Sequence, residues 1–198
     1  LPEPLPLEGL VPFLPARDAL ADLPAQADWP RIAIIIPVYN AAEDLARCLE
    51  SVLRHTTGPA RLILVDDASP DPAIAALLAP LAGRAGVEVH RNATNQGFSA
   101  TVNRGVALAA PDDVVLLNSD TIVGPGWLDG LRLASLSSRR VGTVTAVSNN
   151  AGAFSVPEFN IENTPPAWFA AGDLARLARQ AALGFWPRVP TGNGFCLL

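Results

Sequence analysis

Two continuous apolar runs stand at the start of the most regular part of the chain. Residues 31 to 38 read RIAIIIPV, and residues 60 to 65 read ARLILV. A run that is apolar at nearly every position predicts a strand buried on both faces. The segment between them, residues 40 to 56, is amphipathic at helical spacing. Its apolar face consists of Leu45, Cys48, Leu49, Val52 and Leu53.

The alternation of strand and helix patterns continues down the chain. Asp71 and Pro72 are typical of a helix start, and Asn40 with Glu43 three residues later predicts a capping box for the first helix. Further strands are predicted in VEVHRN (87 to 92), DVVLLNSD (113 to 120), VGTVTAVSNN (141 to 150) and TGNGFCLL (191 to 198); helices are predicted in GFSATVNRGVALA (97 to 109), PGWLDGLRLASL (125 to 136) and LARLARQAAL (174 to 183). This order predicts an α/β fold with a mostly parallel sheet.

The chain divides into two parts by composition. Residues 1 to 30 contain prolines at short, irregular intervals, which predicts an extended, linker-like N-terminal extension. Residues 31 to 198 form the predicted folded domain. The sequence contains no methionine, so we expect the chain to be a piece of a longer protein.

Charge and cysteine usage exclude several classes of protein. The formal net charge is −5, the cations are arginines without any lysine, and basic blocks are absent, so a general nucleic-acid binder is excluded. The two cysteines, Cys48 and Cys196, lie far apart in sequence. That spacing suits neither a disulfide framework nor a zinc site, and we expect both cysteines to pack in the core.

Polar residues follow three of the predicted strands at the point where each strand ends. Tyr39 and Asn40 follow the first strand, Asp66 and Asp67 the second, and the Asn118-Ser119-Asp120 triplet a later one. Since the carboxyl ends of parallel strands meet at one edge of a sheet, where ligands of open α/β folds bind, we expect these clusters to line one pocket.

The first strand is not followed by a glycine-rich dinucleotide loop, a phosphate-binding P-loop or a serine nucleophile elbow. A bound nucleotide would therefore need another counter-charge for its phosphates. Asp120 suggests a hard divalent cation, Mg²⁺ or Mn²⁺, which bridges carboxylate and diphosphate oxygens.

Four segments in this order and spacing, IAIIIPVYN, LILVDDAS, NQGFSATVNRGV and VVLLNSD, resemble family 2 glycosyltransferases of the GT-A fold. The later TGNGFCLL is similar to the rhamnosyltransferase-like branch that builds bacterial cell-surface glycans. The resemblance implies a GT-A fold, a Rossmann-like three-layer sandwich that binds a nucleotide-diphosphate sugar and is truncated at its C-terminal side.

The resemblance also implies roles for single residues. Pro37 and Tyr39 would line the nucleobase pocket with their neighbours Val38 and Asn40. Asp67 would accept a hydrogen bond from a pyrimidine N–H, which suits a UDP or dTDP donor, while Asp66 would hold the loop. The remaining expected contacts to the nucleotide are Gly97, Asn103, Asn118 and Ser119. Asp120 would be the metal ligand, and Asn118 replaces the first carboxylate of the family's D-x-D motif.

The implied reaction is an inverting transfer of a hexosyl or rhamnosyl group to an acceptor hydroxyl of a glycan or lipid-linked glycan. The family's catalytic base lies in an acidic motif after TGNGF, so we expect it beyond Leu198 and none within this chain. The resemblance further implies a cytoplasmic location, with peripheral contact to the inner face of the cell membrane through the parent protein.

Two alternatives stay open on the sequence. One is a catalytically inactive domain of the same shape that serves as an interaction module, which the missing base and Asn118 leave possible. The other is a nucleotidyltransferase, but PVYNAAED after the first strand is neither glycine-rich nor basic, as such enzymes usually require.

Overall fold

The computed structural model describes residues 29–166, 168–181 and 186–198 of the protein. Residues 1 to 28 of the predicted N-terminal linker lie outside this range, and the linker stays a prediction. The described strands are β1 (Ile32–Val38), β2 (Ala60–Asp66), β3 (Val87–Arg91), β4 (Asp113–Leu117) and β5 (Cys196–Leu197). They form one sheet in the order β3-β2-β1-β4-β5, in which the first four strands of that order are parallel and β5 pairs antiparallel with β4.

The helices connect these strands in the predicted order. They are α1 (Ala42–His55), α2 (Pro72–Leu78), α3 (Phe98–Ala109), α4 (Trp127–Leu136) and α5 (Ala171–Ala181), with short 3-10 turns at Ala79–Leu81 and Gly152–Phe154. The prediction of an α/β fold with a mostly parallel sheet is confirmed.

The continuous apolar runs are explained by two hydrophobic cores, one on each face of the sheet. Along β1, Ile34 and Ile36 belong to a large core that also includes buried residues of α1, α2 and α4. The intervening Ile35 faces a smaller core that includes Ala109 of α3. Because side chains alternate across a strand, a strand covered on both faces needs apolar residues at successive positions. The result is a sandwich of three layers.

Helix α3 lies very close to β1. A Cβ atom built on Gly105 would overlap the side chain of Ile35, which is fully buried. Glycine at this position therefore lets the helix axis approach the sheet, and that approach places the N-terminus of α3 beside the end of β1.

Two predictions about local structure are wrong. Asn40 does not cap α1: Asn40 and Ala41 both have positive φ, and the cap position has no side-chain hydrogen bond. VGTVTAVSNN forms no strand. Within it, Thr145 makes an isolated antiparallel bridge to Leu197 and Ser148 an isolated parallel bridge to Ser155, while Val144 exchanges two backbone hydrogen bonds with Leu198. The reason is that the segment divides its pairing between two short partners, so no continuous ladder forms.

Candidate functional site

A cleft of about 320 Å³ opens where the first, second and fourth strands end. Its walls come from the end of β1, the end of β2, the loop between β3 and α3, and the turn after β4. The side chains and backbone that line it are Pro37, Val38, Tyr39, Asp67, Asn95, Gly97, Phe98, Thr101, Asn118, Ser119 and Asp120.

The convergence of the three polar clusters is present in the structure. Tyr39, Asp67 and Asp120 all line the cleft, although they lie far apart in sequence. Most of the predicted nucleotide-binding residues lie there too, but Asn40 and Asn103 do not. Asn103 is an exposed residue of α3, and Asn40 lies beside the cleft in a structural role.

Asn40 joins the end of β1 to the start of α2. Its backbone N–H donates to Ser69 Oγ at 2.9 Å, and its side-chain oxygen accepts from the backbone N–H of Asp71 at 3.3 Å. Asp71 in turn caps α2 by accepting from Ala73 N at 2.9 Å, as its position before Pro72 predicts. These bonds fix the loop behind Tyr39, whose side chain is 51% exposed at the cleft wall.

Asp67 holds the loop between β3 and α3 by its carboxylate. Oδ1 accepts from Asn92 Nδ2 at 2.6 Å and from the backbone N–H of Gln96 at 2.8 Å, while Oδ2 accepts from Gly97 N at 2.8 Å. Burial alone would raise the pKa of Asp67, but these bonds and one from Thr101 outweigh it, so the pKa lies below its usual value. Asp67 is therefore an anion that orders one wall of the cleft.

The Asp66 carboxylate holds the loop that follows β2 and does not line the cleft. It is 2% exposed, and its carboxylate accepts from Ser69 N at 2.9 Å and from the guanidinium of Arg91. The two adjacent carboxylates, both buried, thus hold two different loops by their hydrogen bonds.

Sequence reasoning missed three residues of the cleft: Asn95, Phe98 and Thr101. All three belong to the NQGFSATVNRG segment, which forms the end of the loop and the start of α3. A glycine directly before a predicted helix could have indicated that this loop turns sharply. In the structure, Gly97 has a φ of 81°, and the loop faces the ends of β1 and β2.

The turn that carries Asp120 is held at its first residue. Asn118 N donates to Phe195 O at 2.9 Å, and its carbonyl accepts from Thr121 N at 3.2 Å and from the Cys48 thiol at 3.6 Å. Burial, with a smaller contribution from Asp120, raises the pKa of the Cys48 thiol to about 12, so it acts as a neutral donor. The backbone before Asp120 is therefore fixed on both sides.

The chemistry of this turn suits a hard cation with a mostly non-protein ligand shell. The Asp120 carboxylate is exposed and has no hydrogen-bond partner in the described part of the chain. One carboxylate with phosphate oxygens and waters is a common arrangement for Mg²⁺. No group of three or more histidine, cysteine, aspartate or glutamate side chains that could enclose a metal exists within the described residues.

The electrostatic character of the cleft is acidic. Among the described residues, its lining contains Asp67 and Asp120 but no arginine or histidine. Two arginines close to the cleft loop in sequence are engaged elsewhere: Arg91 pairs with Asp66, and Arg104 donates to Arg91 O at 2.9 Å. An anionic ligand would therefore meet repulsion here unless a cation accompanies it.

No helix of the described ranges combines the length and the apolar character needed to cross a bilayer.

Two solved structures with the same fold are complexes with a nucleotide or a nucleotide sugar. One is a mannosyltransferase from Pyrobaculum calidifontis in complex with GDP-Man and Mn²⁺, with a TM-score of 0.54 and 20% identity over 66% of this chain and 40% of that one. Another is GalNAc-T7 with UDP, GalNAc and Mn²⁺, with a TM-score of 0.51 and 20% identity over 56% of this chain and 21% of that one. The likeness defines the fold as that of the GT-A glycosyltransferases.

The family follows from the sequence match. The family model described as "Glycosyl transferase family 2" matches residues 33–154, more than half of the chain, and the protein belongs to that family. The resemblance found in the sequence motifs is thereby confirmed.

Curated relatives carry the same family resemblance. A PGL/p-HBAD biosynthesis glycosyltransferase of Mycobacterium bovis is 41% identical over 93 residues, which are 46% of this chain and 36% of the relative. The glycosyltransferase GlyG of Streptococcus pneumoniae is 28% identical over 100 residues, 50% of this chain and 33% of that one. The matched region is thus about a third of the length of these relatives.

Proposed function

We propose that the protein is the donor-binding domain of a glycosyltransferase that moves a sugar from a nucleotide diphosphate to an acceptor hydroxyl. The observation that carries this proposal is the single cleft that Tyr39, Asp67 and Asp120 share at the carboxyl edge of the sheet. Its volume of about 320 Å³ lies at the lower end of the range for small-molecule sites, which suits a nucleotide that extends out of an open cleft.

The wall formed by Pro37 and Tyr39 is the proposed nucleobase side of the cleft. Tyr39 is the only tyrosine of the chain, and half of its side chain is exposed although its neighbour Val38 is fully buried. An exposed aromatic ring at the edge of a cleft offers a flat face for a base. Pyrimidine donors, UDP-sugars or dTDP-sugars, are our proposal for the nucleotide.

The turn of Asn118, Ser119 and Asp120 is the proposed diphosphate side. Because the part of the lining that the structure describes contains no basic side chain, we infer that a divalent cation, Mg²⁺ or Mn²⁺, binds at Asp120 together with the diphosphate. When bound, this cation would supply charge neutralisation for the departing nucleotide diphosphate. Both solved relatives are complexes with Mn²⁺, which supports this proposal.

The acceptor must lose a proton as the glycosidic bond forms, which requires a positioned base. Neither carboxylate of the lining suits this role, because the oxygens of Asp67 are engaged in hydrogen bonds and Asp120 is assigned to the cation. We assign no base among the cleft residues.

We propose that the reaction is inverting and that the acceptor is a hydroxyl of a glycan or lipid-linked glycan at the cytoplasmic face of the membrane. The biosynthetic role in the mycobacterial relative's name is consistent with such an acceptor.

Calorimetric titration of UDP, dTDP and GDP, each with and without Mn²⁺, tests the proposal. We expect a pyrimidine diphosphate to bind at least about tenfold more tightly with Mn²⁺, a difference of about 1.4 kcal/mol. The isosteric change Asp120→Asn should remove this gain. Asp113→Asn is the matched control, because Asp113 is an exposed aspartate at the opposite end of β4.

The outcomes separate the parts of the proposal. Folded protein that binds none of the three nucleotides contradicts the proposed function. If Mn²⁺ strengthens nucleotide binding equally in wild type and Asp120→Asn, the cation site at Asp120 is contradicted, but the nucleotide site is not.

A further inference from the structure

We propose that the indole ring of Trp168 is a stacking surface for a pyranose ring of the acceptor glycan, beside the diphosphate end of the cleft. This inference rests on the proposed function, because it gives one residue a role in binding the second substrate of that reaction. The ligand class is a neutral carbohydrate, which would bind through the C–H face of one sugar ring.

The first observation is the exposure of Trp168. Its side chain is 79% exposed, the highest exposure among the large hydrophobic residues in the described part of the chain. Tryptophan is highly buried on average in folded proteins, and Trp127 of this chain packs against the large core. One exposed apolar side chain is not by itself a site, so how the ring is held and where it lies decide its role.

The second observation is that the exposed ring is held from the protein side. The Phe169 backbone N–H donates to Pro166 O at 2.8 Å, which closes a turn around Trp168. The rings of Trp168 and Phe169 meet edge to face, with centroids 5.2 Å apart and planes at 75°, and Phe169 is partly buried. A ring that is fixed before a ligand arrives loses little conformational entropy on binding.

The third observation is a contact that connects this turn to the segment after β4. A Cβ atom built on Gly172, four residues after Trp168, would lie 3.9 Å from Cδ of Pro125. The start of α5 is therefore next to the connection between β4 and α4. Asp120 begins that connection, five residues before Pro125. The chain thus brings Trp168 toward the segment that carries the proposed cation ligand.

A second set of contacts leads from the same turn to the loop before Trp168. Asn118 N donates to Phe195 O at 2.9 Å. Two residues earlier, Asn193 Nδ2 donates to Ala151 O at 3.1 Å. Ala151 opens the irregular segment that continues to Trp168. Both ends of the segment that carries Trp168 are therefore tied to the diphosphate side of the cleft.

The chemistry of the proposed reaction requires the acceptor on this side. The donor sugar is attached to the diphosphate, so the attacking hydroxyl must arrive beyond the Asp120 turn and not at the Tyr39 wall. A pyranose ring presents polarised C–H groups on one face, and the negative face of an aromatic ring attracts them.

The charge of the neighbouring loop favours a neutral ligand over a lipid surface. Glu158 and Glu162 are exposed in the segment before Trp168. Their carboxylates would repel the anionic headgroups of a bilayer and leave a neutral carbohydrate unaffected. We therefore assign Trp168 to the glycan itself.

Saturation-transfer NMR of the full chain with UDP and Mg²⁺ tests the inference. The probes are methyl β-D-glucopyranoside, methyl β-D-galactopyranoside and methyl α-L-rhamnopyranoside. We expect transfer to at least one glycoside, strongest at the C–H protons of one ring face. Trp168→Leu keeps an apolar side chain without an aromatic face and should weaken this binding about five- to tenfold. Trp168→Phe should retain most of it.

Phe159→Leu is the matched control, because it makes the same aromatic-to-aliphatic change at a side chain that is 69% exposed and has no ring partner among the described residues. It should leave the glycoside signals unchanged. The base protons of UDP in the same samples report the donor site, and their signals should be equal in all variants.

UDP signals without any glycoside signal in wild type overturn the inference and leave the donor site standing. Equal glycoside signals in wild type and Trp168→Leu also overturn it, as does an equal loss in Trp168→Leu and Phe159→Leu. Sedimentation with phosphatidylcholine–phosphatidylglycerol vesicles that depends on Trp168, without a glycoside signal, assigns the ring to a lipid surface and overturns it too. Glycoside signals that depend on Trp168, in folded protein that gives no UDP signal, support the carbohydrate site but contradict the proposed function.

Discussion

The backbone N–H of Gly97 donates a 2.8 Å hydrogen bond to Oδ2 of Asp67, across 30 positions of sequence. Through this bond the end of β2 determines where helix α3 begins, and with it one wall of the cleft. In Asp67→Asn the new amide group cannot accept from all of the loop's backbone donors. We expect a loss of about 1–3 kcal/mol in the free energy of unfolding at neutral pH, measured by chemical denaturation.

The pH dependence of that loss follows from the sign of the pKa shift. The folded-state pKa of Asp67 lies below the ordinary value of 3.8, because hydrogen bonds to its anion outweigh burial. The stabilisation is therefore complete above the unfolded-state pKa and disappears as pH falls through the folded-state pKa. The difference between wild type and Asp67→Asn should be constant from about pH 5 upward and shrink below about pH 4. A difference that stays constant into that acid range would contradict the role of the anion.

Gly105 gives a test of the close contact between α3 and β1. In Gly105→Ala the added methyl group would overlap the buried Ile35 side chain, and we expect a loss of about 1–3 kcal/mol from overpacking. Gly130→Ala is the control, because Gly130 lies inside α4 with open space around its Cα, and alanine there should stabilise by up to about 1 kcal/mol. Thermal unfolding curves of the two variants measure the contrast. Equal effects would show that the approach of α3 is not tight.

The sequence predicted the elements whose apolar pattern is set locally, and missed the details that depend on distant partners. β1, α1 and α2 lie where their patterns place them, and Asp71 caps α2 as expected. The cap expected at Asn40 fails because a positive φ turns this residue toward Ser69 and Asp71. No pattern within residues 36 to 44 contains that information.

The same distinction applies to the cleft. The convergence of Tyr39, Asp67 and Asp120 followed from parallel strands alone. Parallel strands did not predict that Asn95 and Phe98 line the cleft. Their loop is shaped by hydrogen bonds to Asp67, which lies far from it in sequence. Long-range hydrogen bonds of a buried carboxylate leave no periodic signal in the sequence.

Arg132 is a buried cation that joins α4 to the loop before β2. It is 2% exposed, its guanidinium donates to Thr57 O at 2.9 Å and to Pro59 O, and it lies 5.6 Å from the Trp29 ring centroid. In Arg132→Leu the Thr57 carbonyl would lose its guanidinium donor and the Pro59 carbonyl would keep only the one from Ile32 N at 3.1 Å. We expect a loss of about 2–4 kcal/mol in unfolding free energy. Arg176→Ala removes an exposed ion pair with Asp173 and should change stability by less than about 1 kcal/mol. Similar effects of the two changes in denaturation would contradict a structural role for the buried guanidinium.

The thiols of Cys48 and Cys196 should be unreactive in the folded protein. Burial raises the pKa of each to about 12, so the nucleophilic thiolate is scarce at neutral pH. We expect a chromogenic disulfide reagent to label neither thiol at a measurable rate in native buffer. In denaturant it should label both thiols rapidly, at a rate at least about a hundredfold higher than in native buffer. Rapid labelling of native protein would show that the core around the Asn118 turn opens.

We propose above that Asp120 and a nucleotide diphosphate bind one cation together in the cleft. Electron paramagnetic resonance of Mn²⁺ tests this directly, because the signal of the free ion diminishes on binding. With UDP present, wild-type protein should reduce the free Mn²⁺ signal well beyond the reduction caused by UDP alone, and Asp120→Asn should not. An equal reduction by both proteins, or none by either, would show that Asp120 does not bind the cation.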